Sequence, residues 1–450
     1  MINECTFCVL GSVDAGKSTL IGNLISGKLD DGNGSSRKLV AKYNHEITTG
    51  KTSAISTHSI KNFNKSDKSV ILVDLCGHEK YLKTTLFGVA GYYPDYGIII
   101  IGANRGILKM TREHIKILYH LKIPMIIALT KTDLIDKLHE ETENKKDGMR
   151  KITNDIKKIF SKGNYNVVDM NEIIESEKST SGLMPNMSTI PMFKLSSKTG
   201  YGLNYFKDYL TTLPRRINMK LSRELVPIPD IGTGIKSQPD FIFQIETIYC
   251  PPGIGWVITG ILKSTIDDEF ITPNTSMYLG PSKYNNEYVQ VKVWSIFNYY
   301  SEKIDKLYCG QRGCLAVRGD KKITRDYFRK GSILTNNLDI IKKASYVYRA
   351  RIKLLNHPTN VRDNFTPVIH SGTIRQAAKL TIINKEISLK KTDKKDTDKK
   401  EEDDDENKKC IYPGDTAIIE VQFMYRPEII EPNQIFFLRE GLTLGIGSFI

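Results

Sequence analysis

The sequence predicts an α/β domain with a doubly wound, mostly parallel sheet, followed by two all-β barrel domains. From Cys5 to about Pro214, apolar strand-like runs alternate with helical stretches, the pattern of a parallel sheet covered by helices. From about Phe241 short strands separated by turn residues replace this pattern, and a second all-β block starts near Ser345. The expected domains are 1–216, 217–344 and 345–450.

The elements of these domains follow from the apolar runs and the residues between them. The predicted strands of the first domain are Thr6–Leu10, Val70–Asp74, Gly97–Gly102, Met125–Thr130 and Met192–Leu195. Its predicted helices include Ser18–Ser26, Arg112–Leu121 and Met149–Phe160. A polar connector after Leu213-Pro214 leads to predicted strands at Phe241–Tyr249, Trp256–Lys263 and Tyr288–Phe297.

Composition excludes several classes of protein. The 450 residues are 40% hydrophobic and 26% charged, an ordinary globular balance that excludes a mostly disordered chain. No apolar run approaches the ~20 residues of a membrane span, and the N-terminus lacks the pattern of a signal peptide. We therefore expect a cytoplasmic protein, a monomer with no membrane partner. The net charge of +14 favours an anionic partner such as RNA, although codon bias toward lysine is an alternative cause.

The segment 390–409 differs from the rest of the chain. It holds eight lysines and nine acidic residues, and it contains no aromatic or aliphatic residue. Such a composition predicts a solvated, disordered loop inside the third domain, with a regulatory or docking role as the alternative.

A phosphate-binding motif follows the first predicted strand and opens the first predicted helix. The motif is G-x-x-x-x-G-K-S, formed by Gly11, Ser12, Val13, Asp14, Ala15, Gly16, Lys17, Ser18 and Thr19. In this context the pattern predicts a P-loop, whose backbone N–H groups wrap phosphates at a helix N-terminus. We expect Lys17 to reach the β- and γ-phosphates and the Ser18 hydroxyl to bind Mg²⁺.

Two later segments indicate a guanine nucleotide. Thr130, Lys131 and Asp133 close a predicted strand, and a carboxylate there can accept both the N1–H and the exocyclic amino group of guanine. The Lys131 stem can cover the base. The segment formed by Ser196, Ser197 and Lys198 follows another strand and fits a loop that contacts guanine O6.

A D-x-x-G segment completes the set. Asp74 ends a predicted strand and is expected to hold Mg²⁺ through a water, and the N–H of Gly77 is expected to sense the γ-phosphate. His78 comes next, where a side chain can orient the attacking water.

These motifs resemble those of translational GTPases of the elongation-factor-1A/Tu type, and most closely the GTP-binding-protein-one/two branch. The stretches that carry the resemblance are Asp74–Thr85, Pro94–Tyr96, Gly106–His114, Thr130–Asp133, Pro251–Gly260, Pro367–Gln376 and Phe437–Gly441. The resemblance covers nearly the whole chain, except Lys390–Lys409 and parts of roughly 160–190. It implies a P-loop GTPase domain followed by two β-barrels that engage tRNA and the ribosome, with GTP/GDP and Mg²⁺ as cofactors.

The resemblance also implies residue roles that the pattern alone does not give. A switch threonine binds Mg²⁺ in this family, and Thr52 is the best fit, with Thr48, Thr49 and Ser53 as competitors. Asp14 corresponds to an aspartate near the attacking water, so Asp14, Lys17, Thr52 and His78 are the expected catalytic residues. Lys51 replaces an apolar residue that helps to gate the histidine.

The resemblance predicts a GTPase that works as a conformational switch and hydrolyses GTP slowly without a ribosome or another RNA-rich partner. An RNA-binding or mRNA-turnover adaptor, in which hydrolysis times release, is the alternative from a different class. An initiation-factor-gamma type is disfavoured because no cysteine lies between Cys8 and Cys76 to form a zinc knuckle. The short segment before Gly11 disfavours a rescue factor, and the charge disfavours a sulfate-activation GTPase. The exchange factor is not predicted.

Overall fold

A computed structural model describes most of the chain. The described residues are 4–41, 54–138, 145–176, 183–216, 240–266, 269–282, 287–319, 323–329, 331–386, 410–441 and 443–450. The chain forms two compact units, Met1–Ile217 and Asn218–Ile450, and each is described by itself.

The first unit is built on a sheet that has seven strands within the described residues, in the order β2-β3-β1-β4-β5-β7-β6. The strands are β1 (Glu4–Gly11), β2 (Ser56–Ile60), β3 (Ser69–Asp74), β4 (Tyr96–Gly102), β5 (Met125–Thr130), β6 (Asn166–Asp169) and β7 (Thr189–Lys194). All neighbours pair in parallel except β2, which runs antiparallel to β3 with Ser56 opposite Asp74.

Helices connect these strands and cover the sheet. They are α1 (Lys17–Ser26), α2 (Ser35–Lys38), α3 (Leu82–Gly91), α4 (Lys109–His120), α5 (Thr132–Leu138), α6 (Lys145–Ser161), α7 (Met170–Glu175) and α8 (Leu203–Thr212), with 3-10 turns at Phe63–Lys65 and Glu79–Tyr81. Every residue of β4 and β5 is buried, as in a parallel sheet that is covered on both faces. The predicted fold class of this part is confirmed.

The first barrel of the second unit closes through a pairing between β11 and β12. Its strands run in the order β11-β16-β8-β9-β15-β12, with β13 beside β12. They are β8 (Phe241–Tyr249), β9 (Trp256–Ser264), β10 (Phe270–Ile271), β11 (Ser276–Gly280), β12 (Val289–Asn298), β13 (Lys303–Ile304), β14 (Leu307–Tyr308), β15 (Arg312–Arg318) and β16 (Ile333–Thr335). A 3-10 turn at Arg325–Tyr327 and the short helix α9 (Leu338–Lys342) complete this part.

The second barrel is closed in the order β17-β22-β20-β19-β23-β24. Its strands are β17 (Val347–Asn356), β18 (Val361–Arg362), β19 (Val368–Ser371), β20 (Ile374–Glu386), β21 (Cys410–Ile411), β22 (Thr416–Phe423), β23 (Ile435–Glu440) and β24 (Thr443–Phe449). In β17 exposed and buried residues alternate, because one face of the strand packs on the barrel core and the other meets solvent. The prediction of two all-β barrels is confirmed.

Some predicted features lie outside the described residues. The polar connector falls on 217–239, and the charged loop 390–409 falls within 387–409. The exact domain boundaries therefore stay predictions. No helix in the described part of the chain is long and apolar enough to cross a membrane.

A buried ion pair joins the segment before β16 to the segment between β22 and β23. Arg329 Nη1 lies 2.9 Å from Glu428 Oε2, and both side chains are almost fully buried. The Glu428 carboxylate also accepts a 2.7 Å hydrogen bond from Gln376 Nε2. Burial raises the pKa of Glu428 even though Arg329 opposes this shift.

We predict that Arg329→Ala destabilises the protein strongly. It leaves the Glu428 carboxylate buried without its cation, a loss that costs about 3–5 kcal/mol. Urea unfolding of the full chain measures the change. Adding Glu428→Gln to the Arg329→Ala variant is expected to recover part of the loss because it removes the buried charge. A double variant no more stable than Arg329→Ala would contradict this account.

A second buried titratable group lies on α4. His114 is fully buried, and neither ring nitrogen has a hydrogen-bond partner among the described residues. Burial, helped by the charge of Lys17, lowers the pKa of His114 to about 3. The imidazole is therefore neutral at physiological pH.

This shift predicts that stability falls on acidification. Between an unfolded pKa near 6.5 and the folded pKa of about 3, only the unfolded chain binds the extra proton at this residue. His114 therefore lowers the free energy of unfolding by up to about 1.4 kcal/mol per pH unit as the pH falls through this window. Urea unfolding between about pH 7 and about pH 5 measures the slope. His114→Leu should reduce this slope. An equal slope in His114→Leu would rule out this assignment.

Candidate functional site

The candidate site lies at the carboxyl edge of the parallel sheet. Strands β1, β3 and β5 end there at Gly11, Asp74 and Thr130, which is where parallel sheets bind ligands. Two adjoining cavities of about 90 and 380 Å³ open at this edge, and we name them the Lys17 cavity and the Asp133 cavity. The Lys17 cavity is lined by Val13, Asp14, Gly16, Lys17, Ser18, Thr19, Arg37, Gly77, His78 and Lys131. The Asp133 cavity is lined by Gly16, Thr19, Asp30, Gly32, Asn33, Gly34, Arg37, Thr130, Lys131, Asp133, Leu134, Ser197 and Lys198.

The predicted P-loop is the turn between β1 and α1. Lys17 is buried, and its Nζ donates a 2.9 Å hydrogen bond to the carbonyl oxygen of Ser12 within the loop. Burial lowers the pKa of Lys17, and the nearby charge of Asp74 opposes this shift. An ammonium group held in this way offers its remaining protons to an anion in the Lys17 cavity.

Two oxygen ligands of the predicted metal site lie side by side. Ser18 Oγ donates a 2.9 Å hydrogen bond to Asp74 Oδ2, so the start of α1 and the end of β3 meet. A hydroxyl and a carboxylate are hard oxygen ligands of the kind that suits Mg²⁺, which commonly takes one or two protein ligands together with substrate phosphates. The described residues contain no cluster of three or more His, Cys, Asp or Glu side chains that could hold a metal. Thr52, the third predicted ligand, and its competitors Thr48, Thr49 and Ser53 lie outside the described residues.

Gly77 packs directly against the P-loop. A Cβ atom at this position would lie 2.5 Å from Lys17 Nζ and 2.6 Å from the carbonyl oxygen of Gly11. These distances are too short for any side chain, so the D-x-x-G segment requires glycine to approach Lys17.

His78 stands at the rim of the Lys17 cavity and is exposed. Its Nδ1 accepts a 3.1 Å hydrogen bond from the backbone N–H of Lys80. The neutral ring therefore carries its proton on Nε2. Asp14 lines the same cavity and lies 3.7 Å from Arg105 in an exposed ion pair.

The hydroxyl of Thr130 braces the P-loop. Its Oγ1 donates a 2.6 Å hydrogen bond to the carbonyl oxygen of Ala15. Threonine has no amide at this position, and its buried hydroxyl at the end of β5 reaches the loop instead.

Hydrogen bonds bring the two guanine segments together. Ser196 Oγ donates to Asp133 Oδ1 at 2.7 Å, and it also accepts a bond from the N–H of Thr199 at 3.1 Å. Nearby, the hydroxyl of Thr132 donates to the carbonyl oxygen of Leu195 at 3.2 Å. The Asp133 carboxylate is thus oriented at the wall of the Asp133 cavity, beside Ser197 and Lys198.

A third wall of the site was not predicted from the sequence. The turn after α1 and the short helix α2 contribute Asp30, Gly32, Asn33, Gly34 and Arg37 to the Asp133 cavity. The run Asp30-Asp31-Gly32-Asn33-Gly34 is a clear turn signal. It could have indicated a turn, but not which side chain enters the site.

Comparisons with known proteins identify chains that are similar to this one. Residues 3–222 match the family model described as the elongation factor Tu GTP binding domain. The chain is 29% identical to GTP-binding protein 1 of Xenopus laevis, over 99% of this chain and 63% of that protein. It is 30% identical to GTP-binding protein 2 of Mus musculus, over 98% of this chain and 68% of that protein. The chain thus spans about two thirds of the length of these relatives.

Among solved structures, the chain is similar in fold to translation elongation factor SelB of Methanococcus maripaludis in complex with the GTP analogue GppNHp. The TM-score is 0.61 at 17% identity, and the match covers 100% of this chain and 79% of that one.

We predict that Asp133→Asn changes base selectivity. An amide cannot accept both the N1–H and the exocyclic amino group of guanine, but its NH₂ can donate to the 2-oxo group of xanthine. Loss of a charge-assisted pair is expected to weaken GTP binding by roughly 10- to 150-fold, with binding of XTP improved. Titration with fluorescent nucleotides measures both affinities. Asp208→Asn on α8, away from both cavities, is the control. Unchanged preference for GTP over XTP in the Asp133 variant would contradict the assignment.

Proposed function

Because the chain belongs to the translational GTPase superfamily, we propose that it binds GTP with Mg²⁺, hydrolyses GTP to GDP and phosphate, and uses the reaction as a conformational switch in work on tRNA or the ribosome. The observation that carries this proposal is the convergence of the P-loop, D-x-x-G and guanine segments on two adjoining cavities. The Ser18–Asp74 and Ser196–Asp133 hydrogen bonds join these segments in pairs.

The phosphate side of the reaction rests on fixed positive charge. Lys17 is held by Ser12 so that its ammonium faces the β- and γ-phosphates, where charge accumulates in the transition state. Ser18 and Asp74 would hold Mg²⁺, which supplies additional positive charge beside the phosphates when bound. Thr52 is proposed as the third protein ligand on the strength of the family resemblance.

His78 is proposed to orient the attacking water. Since Nδ1 accepts the N–H of Lys80, the nitrogen left for a water is Nε2, and in the neutral ring this nitrogen donates. A donor positions the water but does not remove its proton, so His78 acts in this proposal by orientation. Asp14, at the same cavity, is the second residue proposed to act near the water, and Arg105 holds it in an ion pair.

An RNA partner is supported by charge. The net charge of the chain is +14. Part of this charge forms a row on the outer face of β17, where Arg349, Arg351 and Lys353 alternate with buried residues and are all exposed. Such a row suits a phosphate backbone. We therefore propose that the second unit contacts tRNA or ribosomal RNA through this row.

An RNA-binding or mRNA-turnover adaptor is the second candidate function. Its support is the same basic row on β17, since the phosphate backbone of an mRNA fits it as well as that of a tRNA. Cross-linking of the GTP-bound protein in cells, followed by sequencing of the attached RNA, separates the two. Recovery of tRNA and ribosomal RNA supports the first proposal, and recovery of mRNA alone would replace it by the second.

We predict that His78→Ala lowers ribosome-stimulated GTP hydrolysis by roughly 100-fold or more, because the attacking water loses its orientation. The affinity for GDP should stay unchanged because His78 is exposed at the cavity rim. Single-turnover hydrolysis with and without ribosomes measures the rate. Lys80→Ala is the matched control, since it keeps the backbone N–H that His78 accepts.

Two outcomes would contradict this account. A stimulated rate in His78→Ala equal to that of the unaltered protein would remove His78 from catalysis. Equal hydrolysis by the unaltered protein with and without ribosomes would remove the ribosome as activator.

A further inference from the structure

Arg37 of α2 lies where the two cavities meet. It lines both the Lys17 cavity and the Asp133 cavity, and it shares this position with Gly16, Thr19 and Lys131. The Lys17 cavity is assigned to the β- and γ-phosphates and the Asp133 cavity to the base. The junction between them therefore corresponds to the middle of a nucleotide, which is the α-phosphate and the ribose.

The Arg37 side chain has little to bind within the described part of the chain. It forms no ion pair there, and its Nε is buried without a hydrogen-bond partner. Leaving a buried guanidinium donor unsatisfied costs free energy, so the position indicates an anionic or acceptor group that is supplied from outside the protein. A guanidinium is well matched to phosphate oxygens, which accept two parallel N–H bonds.

The backbone that carries Arg37 is fixed by its own turn. Asp30 Oδ1 accepts a 2.9 Å hydrogen bond from the N–H of Ser36. Asp31 Oδ1 accepts bonds from the N–H groups of Asn33 at 2.7 Å and Ser35 at 3.1 Å. The turn is thus preorganised before α2 begins.

The same segment is attached to both sides of the site. The N–H of Asp30 donates a 2.9 Å hydrogen bond to the carbonyl oxygen of Ser197 in the guanine loop. On the other side, Asn23 of α1 donates to Ser36 Oγ at 3.2 Å. A Cβ atom at Gly22 would lie 2.1 Å from the carbonyl oxygen of Ser36, so α2 packs closely on α1. Arg37 is therefore held in place at the junction.

We propose that Arg37 binds the α-phosphate of the bound guanine nucleotide and is a positioning residue common to the GTP and GDP states. This inference rests on the proposed function, since it requires a guanine nucleotide in the two cavities. The contact lies away from the γ-phosphate, so it stabilises GTP and GDP equally.

Equilibrium titration of the full chain with fluorescent GTP and GDP, in the presence of Mg²⁺, tests this proposal. Arg37→Ala is expected to raise both dissociation constants by the same factor, roughly 10- to 150-fold, the range for lost hydrogen bonds to a charged group. Arg37→Lys keeps the charge but lacks the planar set of N–H donors. Its dissociation constants should lie between those of the unaltered protein and those of Arg37→Ala. The hydrolysis rate at saturating GTP is measured in parallel, and it should fall by a much smaller factor than the affinities, because the lost binding is common to both states. Lys38→Ala, an exposed neighbour on α2, is the matched control and should change neither constant.

Three results would overturn the assignment. Unchanged affinity of Arg37→Ala for both nucleotides would show that Arg37 does not contact the nucleotide. Loss of GTP affinity alone would assign the contact to the γ-phosphate. An Arg37→Ala effect that disappears with 2′-deoxy-GDP would assign it to the ribose. Failure of the unaltered protein to bind either nucleotide would instead overturn the proposed function, so the two failures are distinguishable.

Discussion

The buried ammonium of Lys17 is the constraint on which the site depends. One carbonyl oxygen, from Ser12, holds this group inside the protein, and burial lowers its pKa. Burial, with a smaller contribution from this charge, lowers the pKa of the nearby His114. Gly77 lacks the side chain that would collide with Lys17 Nζ. A cation under these conditions gains most from an anion that enters its cavity, and a polyphosphate supplies one.

Much of the first unit could be predicted from the sequence because its central strands are continuous apolar runs. Strand β5 was predicted at its exact bounds, and β1, β3 and β4 were predicted to within a few residues. The strand β2 was not predicted, since its sequence Ser-Thr-His-Ser-Ile is polar and it is held by pairing with β3. The short β6 was missed for a similar reason, because four residues carry too little periodicity.

Within the site, the residues that belong to sequence motifs were predictable, and those placed by contacts between distant segments were not. Lys17, Asp74 and Asp133 were predicted because their spacing and strand-end positions are part of recognisable motifs. The Thr130 brace and the place of Arg37 depend on distances between segments far apart in the chain, which composition and periodicity do not encode. The same holds for Arg329 and Glu428, 99 residues apart, although the all-β pattern around them was predicted.

The ladder between β2 and β3 fixes the start of β2 beside the end of β3. Ser56 stands opposite Asp74, so the strand that follows the switch threonine's segment is in register with the carboxylate assigned to the metal. Side chains on a strand change faces with every residue, and an antiparallel ladder therefore tolerates slippage only in steps of two. A one-residue slip of β2 would turn the buried Ser56 to the opposite face of the sheet, so the ladder fixes where the chain enters β2 relative to the Asp74 carboxylate.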